Sequence, residues 1–249
     1  MDEQTIIQRA RAHFDEDFAK KNYMESRTGD IEHLNRILGC LIILPGSKVL
    51  DLGTGSGFLA FPIAQANAEC SLAGLDIAIR TLANNREKAA LMGLSNLNFV
   101  DYDGMDFPFE DHLFDYVVSR YALHHFPVID KTFSEVSRVL KKGGCFFLSD
   151  PTPNSLDNVG FVDSFMQLKN DGHVKFYSMS EFIDLATNHG FRLIHSFESR
   201  IRFSRELTEP YLTLTAGIDI RILDSYDLKM IDDLIYITEE VNNLLFQKL

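Results

Sequence analysis

The strongest chemical signal in the chain is the run Leu50-Asp51-Leu52-Gly53-Thr54-Gly55-Ser56-Gly57. Three glycines at alternate positions permit a tight turn and let a ligand come against the backbone. A helix that follows such a turn offers free N–H groups and the positive end of its dipole. An anionic group or a carboxylate suits that place. A dinucleotide fingerprint needs G-x-G-x-x-G around a pyrophosphate, whereas Phe58 stands at the third glycine position, so pyrophosphate is disfavoured. Alone, the loop also fits an ordinary strand-to-helix turn.

Asp76 lies 25 residues after Asp51, in Gly74-Leu75-Asp76-Ile77 at the end of an apolar run. A carboxylate there can accept hydrogen bonds from both hydroxyls of a ribose; it can equally cap a helix beginning near Ala78. Asp101-Tyr102-Asp103-Gly104 reads as a turn able to project Asp103 towards an exocyclic amine such as that of adenine, although Asp-Gly is also a plain turn. Farther on, Tyr121, His124 and His125 follow a fourth apolar run. They are the candidate bases for an acceptor that must lose a proton. Adjacent histidines cannot face the same way, and one can simply bond a backbone carbonyl. His173 in a later loop is a substrate-side candidate, or a surface residue. Tyr23 and Arg27, beyond a first amphipathic helix, can close over a ligand carboxylate as a lid or form a solvated helix end.

Three other patterns are rejected. Asp150-Pro151-Thr152-Pro153 resembles the Asp-Pro-Pro-aromatic motif of amino-directed nucleic-acid methyltransferases, but it follows the fifth strand and lacks the aromatic. Cys145 is not preceded by proline and sits inside an apolar strand, so a covalent pyrimidine mechanism has no nucleophile. His124-His125 lacks the i, i+4 spacing and the Cys or carboxylate partners of a zinc site; no metal is expected.

The elements that must hold these residues follow from periodicity. Apolar runs at 48–52, 70–75, 97–100, 116–119 and 145–148 alternate with helical spacing at 58–65, 80–91 and 131–140. Alternating β and α units imply a parallel sheet covered on both faces, with the ligand outside the C-terminal strand ends where the winding reverses. Upstream, Ile7, Ala10, Phe14 and Phe18 make an apolar stripe on a charged helix, and a second helix covers about 30–40. After Asp150 the rhythm breaks into a mostly helical cap insertion, 151–180, rich in phenylalanine: Phe161, Phe165 and Phe176. Residues 191–203 read as a strand. Residues 206–249 are open between a helix over 227–245 and a short helix followed by a terminal hairpin with Val241-Asn242-Asn243 as its turn; the second is preferred.

At 249 residues the chain holds one α/β domain with a small elaboration. The formal net charge is -12 and no Lys/Arg run exceeds two residues, which argues against a nucleic-acid partner. The start carries no secretory signal, and the apolar runs fall short of the roughly 20 residues of a membrane helix. Cys40, Cys70 and Cys145 suit reduced core thiols. A soluble, cytoplasmic protein without membrane insertion, and capable of forming a homodimer, is expected.

The ordered set Val49 to Gly57, Asp76, Asp103-Gly104 with Phe107-Pro108-Phe109, Phe114 to Phe126 and Arg138 to Gly144 resembles class I methyltransferases, in particular the ubiquinone/menaquinone methyltransferase-like (type 11) branch. The match covers 47–150. It implies a Rossmann-like α/β fold: a doubly wound, mostly parallel, seven-stranded sheet with helices on both faces and a helical cap. It further implies S-adenosylmethionine as cofactor and S-adenosylhomocysteine as product. On this resemblance Asp51, Gly53, Thr54, Gly55 and Gly57 face the methionine part, Asp76 and Ile77 hold the ribose, Asp103 and Gly104 frame the adenine, and Arg120 lines the pocket. Gly172-His173-Val174-Lys175 resembles a cap motif of a bacterial subgroup. The expected division is a lid over 1–44, a cofactor core over 45–150, the cap over 151–180, and completion of the sheet over 181–249. The expected function is methyl transfer to a small, partly apolar molecule. A nicotinamide-dependent oxidoreductase and a non-catalytic cofactor-binding protein are the alternatives.

Overall fold

The computed structural model describes residues 2–19 and 30–249. Tyr23 and Arg27 lie outside the described residues, and so does the Phe18 side chain. The alternating pattern becomes β1 (Lys48–Leu52), α3 (Ala60–Ala66), β2 (Ser71–Asp76), α4 (Ile79–Leu91), β3 (Leu97–Asp101), β4 (Phe114–Arg120), α5 (Ile129–Val139) and β5 (Leu140–Thr152). Strands buried on both faces read as continuous apolar runs, and β1 is buried at every position from Val49 to Leu52. Before them come α1 (Glu3–Ala19) and α2 (Ile31–Cys40). Asp2 starts α1 by accepting from the Thr5 N–H at 3.0 Å, and Asp30 starts α2 by accepting from the His33 N–H at 3.0 Å, each satisfying a donor that a helix start leaves open.

The sheet runs β3-β2-β1-β4-β5-β8-β6, where β6 is Phe191–Glu206 and β8 is Leu234–Lys248. Strands β1 to β5 pair in parallel, and β8 is antiparallel to both β5 and β6. The winding reverses between β1 and β4, so the loops after these two strands lie side by side. One face of the sheet is closed by Leu34, Ile37, Ile63 and Leu82 from α2, α3 and α4. On the other, Phe133, Val136 and Phe182 from α5 and α7 (Met179–Asn188) meet Phe146.

Two expectations are corrected. Among the described residues the sheet has eight strands rather than seven, because β7 (Lys229–Ile231) pairs with β8. Asn242 and Asn243 form no turn: they lie within β8, opposite Asp150 and Ser149. The bend falls earlier, where Asp232 adopts φ 52° between β7 and β8. Phe161, Phe165 and Phe176 share one buried core with Tyr211, Ile222 and Ile237, which brings α8 (Glu209–Ala216) and α9 (Ile220–Ser225) together with α6 (Phe161–Gln167), the one helix within 151–178. The three phenylalanines are core, each at most 2 % exposed.

Ile235, Ile237 and Glu239 share one face of β8 by strand alternation. The two isoleucines fill the cap core, while Glu239 is fully buried and neither carboxylate oxygen has a hydrogen-bond partner among the described residues. Burial pushes its pKa well above the usual carboxylate range, offset only in part by Arg205. A pKa raised on folding contributes stability below the unfolded value, and that contribution is lost as pH rises through the folded value. Glu239→Gln keeps the shape without the charge. An unsatisfied buried group costs about 1–3 kcal/mol, so the variant is expected to melt roughly 2–12 °C above the parent at pH 8. The gap should close towards pH 4.5, and thermal denaturation at the two pH values checks both.

Candidate active site

The loop after β1 is tied to β2 by its backbone. The Gly53 and Thr54 N–H groups both donate to the Leu75 carbonyl, at 2.8 and 3.0 Å, and Gly53, Gly55 and Gly57 all have positive φ. Thr54 Oγ1 donates to Asp51 Oδ2 at 2.7 Å. Asp51 is thus beneath the loop, where burial pushes its pKa up to about 7 against that hydrogen bond. It braces the turn from below, while Gly53, Thr54, Gly55 and Ser56 line the cleft above. Regular helix starts only at Ala60, three residues beyond Gly57, so the loop backbone, not a helix end, forms this wall.

Asp76 lines the same cleft. Its Oδ2 accepts from the Gly55 N–H at 2.8 Å and its Oδ1 from the Ala78 N–H at 2.9 Å, while burial raises its pKa. The carboxylate therefore joins the β1 loop to the start of α4, close to the helix-cap role read as the alternative from sequence, while the residue also lines the cleft. Gly104 lines the cleft opposite Ile7 of α1, and a Cβ on it would lie 3.0 Å from the Ile7 side chain. Asp103 is placed otherwise: its Oδ1 accepts from the Met105 and Asp106 N–H groups at 2.8 and 2.9 Å, and those bonds hold its pKa low. That oxygen shapes the turn that presents Gly104, and Asp103 is not in the cleft lining.

Helix α1 roofs the cleft with Ile7, Ala10 and Phe14, the stripe visible in sequence. Arg11 fastens it by donating from Nε to the Ile77 carbonyl at 3.0 Å and from Nη2 to the Tyr102 carbonyl at 3.2 Å. Asn85 supports the floor, its Nδ2 donating to the Gly55 carbonyl at 2.7 Å. Sequence reasoning missed both residues, because each acts on a backbone carbonyl that carries no side-chain signature.

The remaining wall is the segment after β4. Arg120 lies over the Phe58 ring at 3.9 Å and the Tyr121 ring at 4.0 Å, so the residue at the third glycine position serves as a shelf for a guanidinium. Tyr121 has φ 54°. Burial pushes its phenol far above the ordinary value, which makes it a donor and unsuited as a base at neutral pH. Contrary to the expectation for adjacent residues, the two histidine rings lie together, centroids 4.2 Å apart and tilted by 48°, but His125 alone of the two reaches the cleft lining. His124 lies behind the wall with Nδ1 2.9 Å from Asp150 Oδ1, and its own N–H donates to Asp150 Oδ2 at 3.1 Å. Burial lowers the His124 pKa and raises that of Asp150, so the pair resists charge. His125 lines the cleft beside Phe14, ring centroids 5.1 Å apart. Its Nδ1 is buried without a hydrogen-bond partner among the described residues, and burial pushes its pKa down to about 3. His173 stands behind, its Nε2 2.8 Å from Asp163 Oδ1 and its ring 6.2 Å from that of His125; it is absent from the lining.

The cleft encloses about 960 Å³ including its open mouth. It offers a carboxylate on one side, a guanidinium on another, bare glycine backbone between, and an apolar roof. Among the described residues no group of three or more His, Cys, Asp or Glu has the arrangement to hold a metal ion, and no helix is long and apolar enough to cross a membrane.

Comparison with known proteins adds three findings. A family model described as a methyltransferase domain matches residues 43–191. An uncharacterized methyltransferase of Bacillus subtilis, YcgJ, is 35% identical over 138 residues, covering 54% of this chain and 53% of its own, and a demethylmenaquinone methyltransferase of Bacillus cytotoxicus is 36% identical over 116 residues, covering 44% and 48%. The chain thus spans about half the length of these curated relatives. The crystal structure of the Bacillus subtilis YcgJ protein superposes with a TM-score of 0.76 over 88% of this chain and 99% of that one, at 20% identity, a likeness of fold.

Proposed function

Since the chain belongs to the methyltransferase domain family, we propose that it binds S-adenosylmethionine in the cleft and transfers its methyl group to a small, partly apolar acceptor. What supports the reading is the convergence of Gly53, Gly55, Asp76, Gly104 and Arg120 on one cleft. The bare loop takes the amino-acid tail, with the Arg120 cation facing its carboxylate. Asp76 takes the ribose hydroxyls, and Ile77, Tyr102 and Gly104 flank the base. When bound, the cofactor supplies a methyl group made electrophilic by its sulfonium. The chain has to align the acceptor and keep water out, and Ile7, Ala10, Phe14 and Phe126 provide the apolar enclosure.

The acceptor enters beside His125. An imidazole whose pKa is pushed down to about 3 is suited to accept a hydrogen bond from the acceptor and to take the proton only as the new bond to carbon makes it acidic. The likeness to the demethylmenaquinone methyltransferase of Bacillus cytotoxicus favours an acceptor of cyclic, partly apolar character. Phe58 under Arg120 speaks against a pyrophosphate on the same loop.

Calorimetric titration of the full chain with S-adenosylhomocysteine and, separately, with NAD tests the cofactor. Binding of the former is expected; tight NAD binding without any adenosylhomocysteine signal overturns the reading. Labelled methyl donor offered with a panel of quinols, phenols, amines and thiols tests the transfer, and a panel without product would leave a binding protein instead of an enzyme.

A further inference from the structure

His33 sits in the first turn of α2 and is 3 % exposed. Its tautomer can be derived from its surroundings. Asn243 Nδ2 donates to Ser199 Oγ at 3.0 Å and to the Val241 carbonyl at 3.2 Å, which turns the amide so that Oδ1 faces His33 Nε2 at 2.8 Å. An amide oxygen only accepts, so Nε2 carries the proton and Nδ1 bears the lone pair. That lone pair faces the Tyr121 hydroxyl at 3.3 Å and Arg120 Nε at 3.4 Å, both groups of the cleft wall. A neutral imidazole thus holds the wall from behind, across 87 residues of chain.

We propose that His33 is a positioning residue for the cleft: it works only as the neutral imidazole, and protonating Nδ1 releases Tyr121 and Arg120 and weakens binding of cofactor and product. The inference rests on the proposed cofactor reading. Protonation would turn the acceptor into a cationic donor facing the Arg120 guanidinium, which can only donate, and would end acceptance from the Tyr121 hydroxyl. Among the described residues the charges around His33 are Asp30, which caps its helix, Arg36 on that helix and Arg120 at the end of β4. Tyr121, Asn243, Ser149 of β5 and Ser199 and Phe197 of β6 also contact it. Desolvation by burial, its largest influence, lowers its pKa.

Adenosylhomocysteine affinity of the full chain, measured by calorimetry from pH 7.5 to 5, tests this with two variants. In His33→Asn the side-chain oxygen can stand where Nδ1 stood and does not titrate; it should bind within about threefold of the parent at pH 7.5. It should also lose less affinity on acidification than the parent, whose curve falls away from it. His33→Phe has no acceptor and should bind about tenfold more weakly at pH 7.5, the effect of losing a hydrogen bond to a charged group. Asp51 and Asp76 titrate alike in all three proteins, so the difference between curves belongs to His33. Parallel curves for the parent and His33→Asn, or His33→Phe binding as tightly as the parent, would overturn the inference. Failure of the unmodified chain to bind adenosylhomocysteine at pH 7.5 would instead remove the cofactor reading itself.

Discussion

Replacing Asp76 by alanine is expected to weaken adenosylhomocysteine binding by about 10- to 150-fold, the equivalent of about 1.5–3 kcal/mol for hydrogen bonds to a charged group. On the proposed reading the carboxylate has two duties. Toward the proposed ligand, it is an acidic side chain of the cleft lining, and removing it would deprive the ribose hydroxyls of the acceptor proposed for them. Toward the protein, it holds the Gly55 and Ala78 N–H groups, and their loss loosens the loop that receives the amino-acid tail. Asp76→Asn separates the duties, since an amide oxygen can still accept from the loop but cannot supply the charge. Affinity in the Asn variant should fall less than in the Ala variant, while the melting temperature should fall chiefly in the latter. The unliganded carboxylate has a pKa raised by burial, and ribose hydroxyls favour its ionised form. Binding therefore releases protons, and affinity declines as pH falls through the free-state pKa. Unchanged affinity in Asp76→Ala alongside a lowered melting temperature would reduce Asp76 to a brace.

What the sequence made legible was whatever a short window contains. The five parallel strands announce themselves because both faces are buried, so Val49-Leu50 or Val117-Val118 read as apolar at every position. The stripe Ile7, Ala10, Phe14 announced a roof because a helix places residues three and four apart on one side. Distant partners left no such trace. His33 bonds a residue 210 positions away, Arg11 a carbonyl 66 away and Asn85 one 30 away, and nothing in their own neighbourhoods marks them. Asn242-Asn243 misled for the complementary reason. Two asparagines usually mark a turn because each side chain can bond the backbone two residues on and tolerates a left-handed conformation. Here Asn243 is buried and satisfied by His33, Ser199 and a backbone carbonyl, so tertiary pairing overrides local preference. Asp103 was ambiguous between ligand and turn, and the turn bonds that it makes are two and three residues along its own chain.

Gly53→Ala should be the most damaging single methyl group that can be added near the cleft. The residue holds φ 68°, a conformation that costs a residue with a Cβ about 1–2 kcal/mol. The added carbon would also fall 2.5 Å from Ala122 Cβ, far inside contact distance. That neighbour cannot rotate away, so the β1 loop or the turn after β4 must shift, adding about 1–3 kcal/mol. A combined cost of about 2–5 kcal/mol lowers the melting temperature by roughly 4–20 °C at this chain length. Either shift moves a cleft wall, Gly53 on one side and Arg120 to Ala122 on the other, so adenosylhomocysteine binding should fall at least tenfold even below the melting range. Gly46→Ala isolates the backbone contribution, since Gly46 has a similar φ of 79° but nothing within 4 Å of its added Cβ. It lies before β1, away from the cleft, and should cost only about 1–2 kcal/mol with unaltered binding. Equal losses of stability and of affinity in the two variants would show that left-handed strain alone, and not the close approach of the β1 and β4 loops, makes glycine necessary at position 53.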